Sequence, residues 1–274
     1  MLDMSLFRNP AFVSVSLTTF CLGVGMFSLF PFLSIYLQDV LGYSPLQAGI
    51  RFLPLTLFIF AVPLATRQFV GRVSARVILA AGMTLIGVAL LLMYGIAVGS
   101  SWTTLLAGMV VAGIGIGLAN PAIAATALRV VEPSRAGMAS GFNNTCRLAG
   151  VAIGVAALGA ALEHRAATTL SSTVGSHDRA LAEAVSAGGI RAATGHPNLI
   201  HPVTTAFVNG LNLILLIASG AAFLGALLTV ALLRPPAEAA SATPSEPSRV
   251  DGGFARPTSP MVGLPVQPPL PFRV

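Results

Sequence analysis

Residues 77–128 read VILAAGMTLIGVALLLMYGIAVGSSWTTLLAGMVVAGIGIGLANPAIAATAL. These 52 positions, bounded by Arg76 and Arg129, contain no charged residue. One helix across a bilayer needs about 20 apolar residues. The stretch therefore holds two crossings and a turn. Small residues end helices, and Gly99-Ser100-Ser101 supplies them. Trp102 follows, a residue type enriched at the membrane–water interface. The chain is expected to be an all-α integral membrane protein that meets the lipid bilayer along most of its length.

Composition agrees. Hydrophobic residues make up 55% of the 274 and charged residues 9%. A soluble domain carries about 25% charged residues. The net charge is +6 and the pI about 10.6. The basic residues lie at helix ends, so the charge is assigned to membrane topology and not to a nucleic-acid partner. Every basic residue is an arginine. Cys21 and Cys146 lie in different apolar stretches and make neither a disulfide framework nor a metal site. His164, His177, His196 and His201 share a polar segment without ligand-type spacing. No cofactor and no metal is expected.

Six crossings are read outward from that stretch: about Pro10–Leu37, Leu46–Phe69, Val77–Val98, Trp102–Leu128, Ala136–Leu162 and Ala206–Leu233. They are too long for barrel strands, which need only about 10 residues. Residues 1–9 form a short N-terminus, 10–233 a six-transmembrane-helix bundle, and 234–274 a tail. With both termini in the cytoplasm, Arg8, Arg67, Arg72, Arg76, Arg129, Arg135 and Arg234 fall on one side. The short outer turns near 39–44 and 99–101 carry no arginine, which is the positive-inside pattern. An outer loop of about 163–205 departs from it through Arg165, Arg179 and Arg191, and is expected to hold a short helix near 178–186. The tail contains ten of the nineteen prolines and is expected to be disordered and solvated.

Two crossings carry most of the candidate functional residues. The fourth has Gly108, Gly113, Gly115 and Gly117, then Asn120 and Pro121. No nucleotide-binding glycine frame fits there, and no strand precedes it. Small residues let membrane helices approach closely and proline bends them, so Gly113, Gly115, Gly117 and Pro121 are expected to pack against neighbours. In the fifth, Ser140, Asn143, Asn144, Arg147, Gly150, Val151 and Gly154 recur at three- and four-residue steps and share one face. Gly150 and Gly154 are packing positions on it. Arg147 lies about 16 Å along the axis from Ala136 at 1.5 Å per residue, near the middle of a core of about 30 Å. A charge there costs about 2.5–3.5 kcal/mol and should face the bundle interior or water. It is either a solute-cavity residue or a structural arginine. Arg51, near the outer end of its helix, is expected to snorkel. Gln38, Asn209 and Asn212 are further candidates for solute contact, against a plain interhelical hydrogen bond. No carboxylate lies mid-helix, and no nucleophile–base pair or phosphate loop is present, so the chain is not expected to be an enzyme.

Several stretches resemble one family. They are Arg8-Asn9-Pro10-Ala11-Phe12, Tyr36-Leu37-Gln38-Asp39-Val40-Leu41-Gly42-Tyr43-Ser44-Pro45-Leu46-Gln47-Ala48-Gly49 with Leu53-Pro54, the Gly113, Gly115, Gly117 and Pro121 series, and Gly137-Met138-Ala139-Ser140-Gly141 with Asn143, Asn144 and Arg147. Together they resemble the carboxy-terminal half of the fourteen-helix drug:proton antiporters of the major facilitator superfamily, over about residues 5–235. The resemblance implies half of a two-bundle transporter that extrudes small amphipathic or cationic solutes by alternating access. Residues 71–76 resemble a worn copy of the superfamily's gating loop, with Arg72 and Arg76 carried over as gating contacts and Gly71 standing where an acidic residue is usual. The family's proton-linked acidic residue belongs to the amino-terminal half and has no counterpart here. The implied partner is a separate amino-terminal half or a second copy of the chain. A single bundle is expected to be inactive alone, and a non-transporting membrane scaffold or partner-binding subunit is the alternative.

Overall fold

The computed structural model describes residues 9–66, 73–129, 136–174 and 197–233. Every regular element among them is helical, and six helical stretches are long and apolar enough to cross a membrane. The expected all-α, six-helix membrane bundle is the fold observed. The N-terminus, the loop with Arg67 and Arg72, the expected helix near 178–186 and the tail lie outside the described residues.

The first crossing is a broken helix. Helix α1 (Pro10–Gly25) starts on Asn9, whose side chain accepts from the Ala11 amide at 3.0 Å, with Pro10 in the first turn. A 3-10 turn (Phe27–Leu29) leads into α2 (Phe30–Ile35), and Pro31, which brings no N–H to the ladder, sits in its first turn. The crossing closes in a π turn (Tyr36–Val40), and Gly42 reverses the chain at φ +73°. Ser44 then starts α3 (Pro45–Arg51) with a reciprocal capping box, its hydroxyl accepting from the Gln47 amide and its own amide donating to Gln47 Oε1. The serine–proline–x–glutamine string is thus a helix-start device. Helix α4 (Leu53–Thr66) completes the second crossing.

Helices α5 (Ala75–Leu92) and α6 (Thr103–Arg129) are the third and fourth crossings. The third ends six residues before the expected Val98, because Gly95 and Gly99, at φ +88° and +91°, turn the chain early. Helix α7 (Ala136–Val174) runs twelve residues past Leu162, and α8 (Pro197–Leu232) begins nine before Ala206. The expected outer loop of 163–205 is therefore helical at both ends. Apolarity stops at Leu162, but the helix does not. Polar residues such as His164 and Arg165 continue the helical ladder beyond it.

Helices α1, α7 and α8 pack mutually, α5 lies between α6 and α8, and α4 packs on α6. Small residues set these distances. A Cβ on Gly82 of α5 would fall 2.9 Å from Gly115 O, and one on Gly115 would fall 2.8 Å from Gly82 O. Thr18 and Thr229 share a buried hydroxyl hydrogen bond of 2.8 Å between α1 and α8. Helix α4 is the least enclosed: Leu53, Leu57, Phe60 and Leu64 form an exposed apolar stripe along it. Helix α6 touches α1 and α7 only lightly, and a polar gap opens between these three helices.

Candidate functional site

The gap is a cavity of about 220 Å³. Thr19 of α1, Asn120 and Ile123 of α6, and Ser140, Asn143, Asn144 and Arg147 of α7 line it. The polar residues of α7 share a face because three- and four-residue steps repeat near one helical turn. Close packing positions that face. A Cβ on Gly150 would collide with Phe20 of α1, one on Gly154 with Val24 of α1 and Ser28 of the 3-10 turn, and one on Gly23 would meet Arg147 O and Val151 N. The α1 and α7 backbones therefore touch just beyond Arg147, and the space on the Ser140 side of that contact stays open.

Arg147 is half-buried. One guanidinium nitrogen donates to Asn144 Oδ1 at 2.7 Å, and the guanidinium carbon lies 5.5 Å from the centroid of the Phe27 ring. Among the described residues, no carboxylate lines the cavity. Among the described residues, acidic side chains occur at Asp39 and Glu163, in the π turn and far along α7. Asn143 is 8% exposed, and its Oδ1 has no hydrogen-bond partner. A buried orphan acceptor costs about 1–3 kcal/mol, so a donor arriving in the cavity would relieve it. Thr19 is already engaged, its hydroxyl donating to Val15 O at 2.8 Å.

The structure thus brings together Asn143, Asn144 and Arg147 and adds Thr19, Asn120, Ile123 and Ser140 around them. Asn120 stands out in the sequence as an amide beside Pro121 in an otherwise apolar helix. Thr19 gives no signal there, since a helix threonine most often bonds its own backbone. Asn212 is not at the cavity. Its Oδ1 accepts from the Gly95 and Ile96 amides at 2.9 and 3.1 Å, and its Nδ2 donates to Ile96 O at 2.7 Å. It ties α8 to the α5–α6 turn. Gln38 is also elsewhere, donating to Ser34 Oγ at 2.7 Å in the π turn.

Arg76 donates to Val230 O in the last turn of α8, joining α8 to the start of α5, while Arg72 lies outside the described residues. Gly113 and Gly117 face α4, where a Cβ on Gly113 would meet Phe58 and Leu55 and one on Gly117 would meet Phe58 and Val62, and Gly115 faces α5. Pro121 is exposed. Arg51 is held more firmly than snorkelling requires. Its guanidinium lies 3.4 Å from the Tyr43 ring centroid and 5.6 Å from that of Trp102, and it donates to Gln47 O at 2.9 Å. Cys21 and Cys146 are free thiols.

Ionisable residues within membrane helices face the bundle interior or a water-filled cavity, and Arg147 does so here. Residues 3–155 match the Major Facilitator Superfamily profile. The chain is 32% identical over 186 residues to the multidrug resistance protein Stp of Mycobacterium tuberculosis, covering 68% of this chain and 34% of that one. It is 31% identical over 157 residues to the methylenomycin A resistance protein of Streptomyces coelicolor, covering 57% and 33%. It is 29% identical over 159 residues to the multidrug efflux pump LfrA of Mycolicibacterium smegmatis, covering 58% and 32%. The chain spans about a third of the length of these curated relatives. The profile match extends over more than half of its residues, and the chain belongs to the major facilitator superfamily.

Proposed function

We propose that this chain is the carboxy-terminal six-helix half of a fourteen-helix drug:proton antiporter, set in the cell membrane with both ends cytoplasmic. Its task is to supply one wall of a solute path that opens alternately to each side. The observation that carries this reading is the cavity between α1, α6 and α7, where Arg147 has no carboxylate partner among the described residues and Asn143 Oδ1 is unsatisfied. Intramembrane ionisable residues that face a cavity mark solute and ion pathways. The relatives named for drug resistance and efflux support the same reading. The orientation rests on the arginine bias.

A single bundle offers one wall and nothing to rock against. The chain alone is inactive in export in this reading, and proton coupling resides in an amino-terminal half. The test is dye accumulation in efflux-deficient cells that express residues 1–274 with and without the amino-terminal half of a related transporter. Export is expected only with both halves. Arg147→Ala in the paired form should abolish most export while the chain still inserts in the membrane. Gradient-driven export by the chain alone would refute the half-transporter reading. Unchanged export by well-inserted Arg147→Ala would remove the cavity from the solute path.

A further inference from the structure

We infer that the cavity between α1, α6 and α7 recognises the anionic headgroup of an organic solute, a carboxylate or a group of like charge, and excludes cationic headgroups. The inference rests on the proposed role of this cavity in the solute path and narrows it. It reverses the cationic class that the family resemblance implies, at least for the part of a solute that enters here.

Arginine carries five N–H donors and no acceptor. Arg147 places one nitrogen on Asn144 Oδ1. Its remaining donors have no protein acceptor among the described residues. Because the arginine is a pure donor, the Asn144 oxygen must be the atom facing it, so the Asn144 amide nitrogen is left as a second donor. The Ser140 hydroxyl lines the same space and is a third. The amide acceptors set against these are Asn120 Oδ1, whose own amide nitrogen is a further donor, and Asn143 Oδ1, which is more than nine-tenths buried and has no partner. Donors outnumber acceptors, and among the described lining residues the one formal charge is positive.

A carboxylate fits this set. Two oxygens take the guanidinium fork side by side, a geometry in which charge-assisted hydrogen bonds are roughly twice as strong as neutral ones. An N–H or O–H next to the carboxylate would satisfy Asn143 Oδ1. A cation would meet a half-buried guanidinium with no carboxylate partner among the described residues, where like charges repel more than in bulk water. The volume of about 220 Å³ suits a headgroup with a few neighbouring atoms. Ile123 gives the cavity an apolar wall for the carbon adjoining it.

The test uses the full chain in lipid nanodiscs and fluorine NMR of three water-soluble probes: 4-fluorobenzoate, 4-fluorobenzylamine and 4-fluorobenzyl alcohol. The expected result is saturable broadening of the benzoate signal, with the amine and alcohol at least tenfold weaker. Arg147→Gln should weaken benzoate binding at least tenfold. Equal or tighter binding of the amine, or no binding of any probe, overturns the inference. These comparisons on the unaltered chain stand even where a variant fails to fold. Inorganic phosphate that displaces benzoate at equal concentration would also overturn it, since the site would then hold any small anion. Loss of benzoate binding on pairing with an amino-terminal half would do the same, by showing that a side chain of that half is the counter-ion. Because binding is read without transport, its outcome is separate from that of the export assay.

Discussion

Gly150→Ala should loosen the contact on which the cavity is built. The added carbon would lie 3.2 Å from the carbonyl carbon of Phe20 and 3.3 Å from its Cα, with Phe20 O closer still. These are backbone atoms of α1, so no side-chain rotation relieves the clash, and the two helices must part. Overpacking of this kind costs about 1–3 kcal/mol. Alanine returns up to about 1 kcal/mol through its better helix propensity. Gly141→Ala is the matched control, nine residues earlier on the same helix, with nothing within 4 Å of the new carbon. It carries the propensity gain without the clash. The two variants should therefore differ by about 1–3 kcal/mol, the overpacking term alone. Reversible unfolding in mixed micelles, followed by helical circular dichroism, measures that gap directly. Benzoate binding should weaken in Gly150→Ala as well, because Arg147 lies less than one turn away. Equal stability of the two variants would show that α1 and α7 are not held in backbone contact, and the account of how the cavity is positioned would fall with it.

Asn212→Leu removes three hydrogen bonds from the α5–α6 turn, two of them to buried Ile96. It should cost about 2 kcal/mol in the same unfolding assay and leave benzoate binding by the folded protein unchanged; a selective loss of binding would return Asn212 to the solute path. Single cysteines at Ser100 and Ser74, in a background without Cys21 and Cys146, should report topology on intact cells. An impermeant thiol reagent is expected to label position 100 and spare position 74, and the reverse pattern would invert the proposed orientation.

Much of the candidate site is legible in the sequence. Asn143, Asn144 and Arg147 share a face by spacing alone, and a charge at that depth has few tolerable surroundings. Isolated amides are harder to read. Asn212 and Asn143 are the same residue type in two membrane-crossing helices. One satisfies both ends of its amide on a neighbouring turn, and the other leaves its oxygen unpaired at a cavity. The sequence around Asn212 does not disclose its role, because partners more than a hundred residues away decide the matter. Arg76 is a similar case, since its acceptor is a carbonyl on α8. Helices α7 and α8 outrun their apolar stretches because apolarity reports contact with lipid, while the helical ladder needs no lipid to continue.

Repeated helical crossing of a membrane is dictated by the length and apolarity of the segments alone. That follows from one requirement, that backbone polar groups in lipid be satisfied within their own segment. The sequence also set where helices start, through Asn9-Pro10 and the Ser44–Gln47 capping box, since caps act over three or four residues. Tertiary structure alone decided which faces meet. Gly113 and Gly115 stand two residues apart, yet one faces α4 and the other α5. Gly150 and Gly154 bind α7 to α1, and where that contact stops and α6 stands off, a space opens that no single helix contains. A cavity is a property of three surfaces at once. Its polar lining is written in the sequence, but its existence depends on distances between segments that the sequence places far apart.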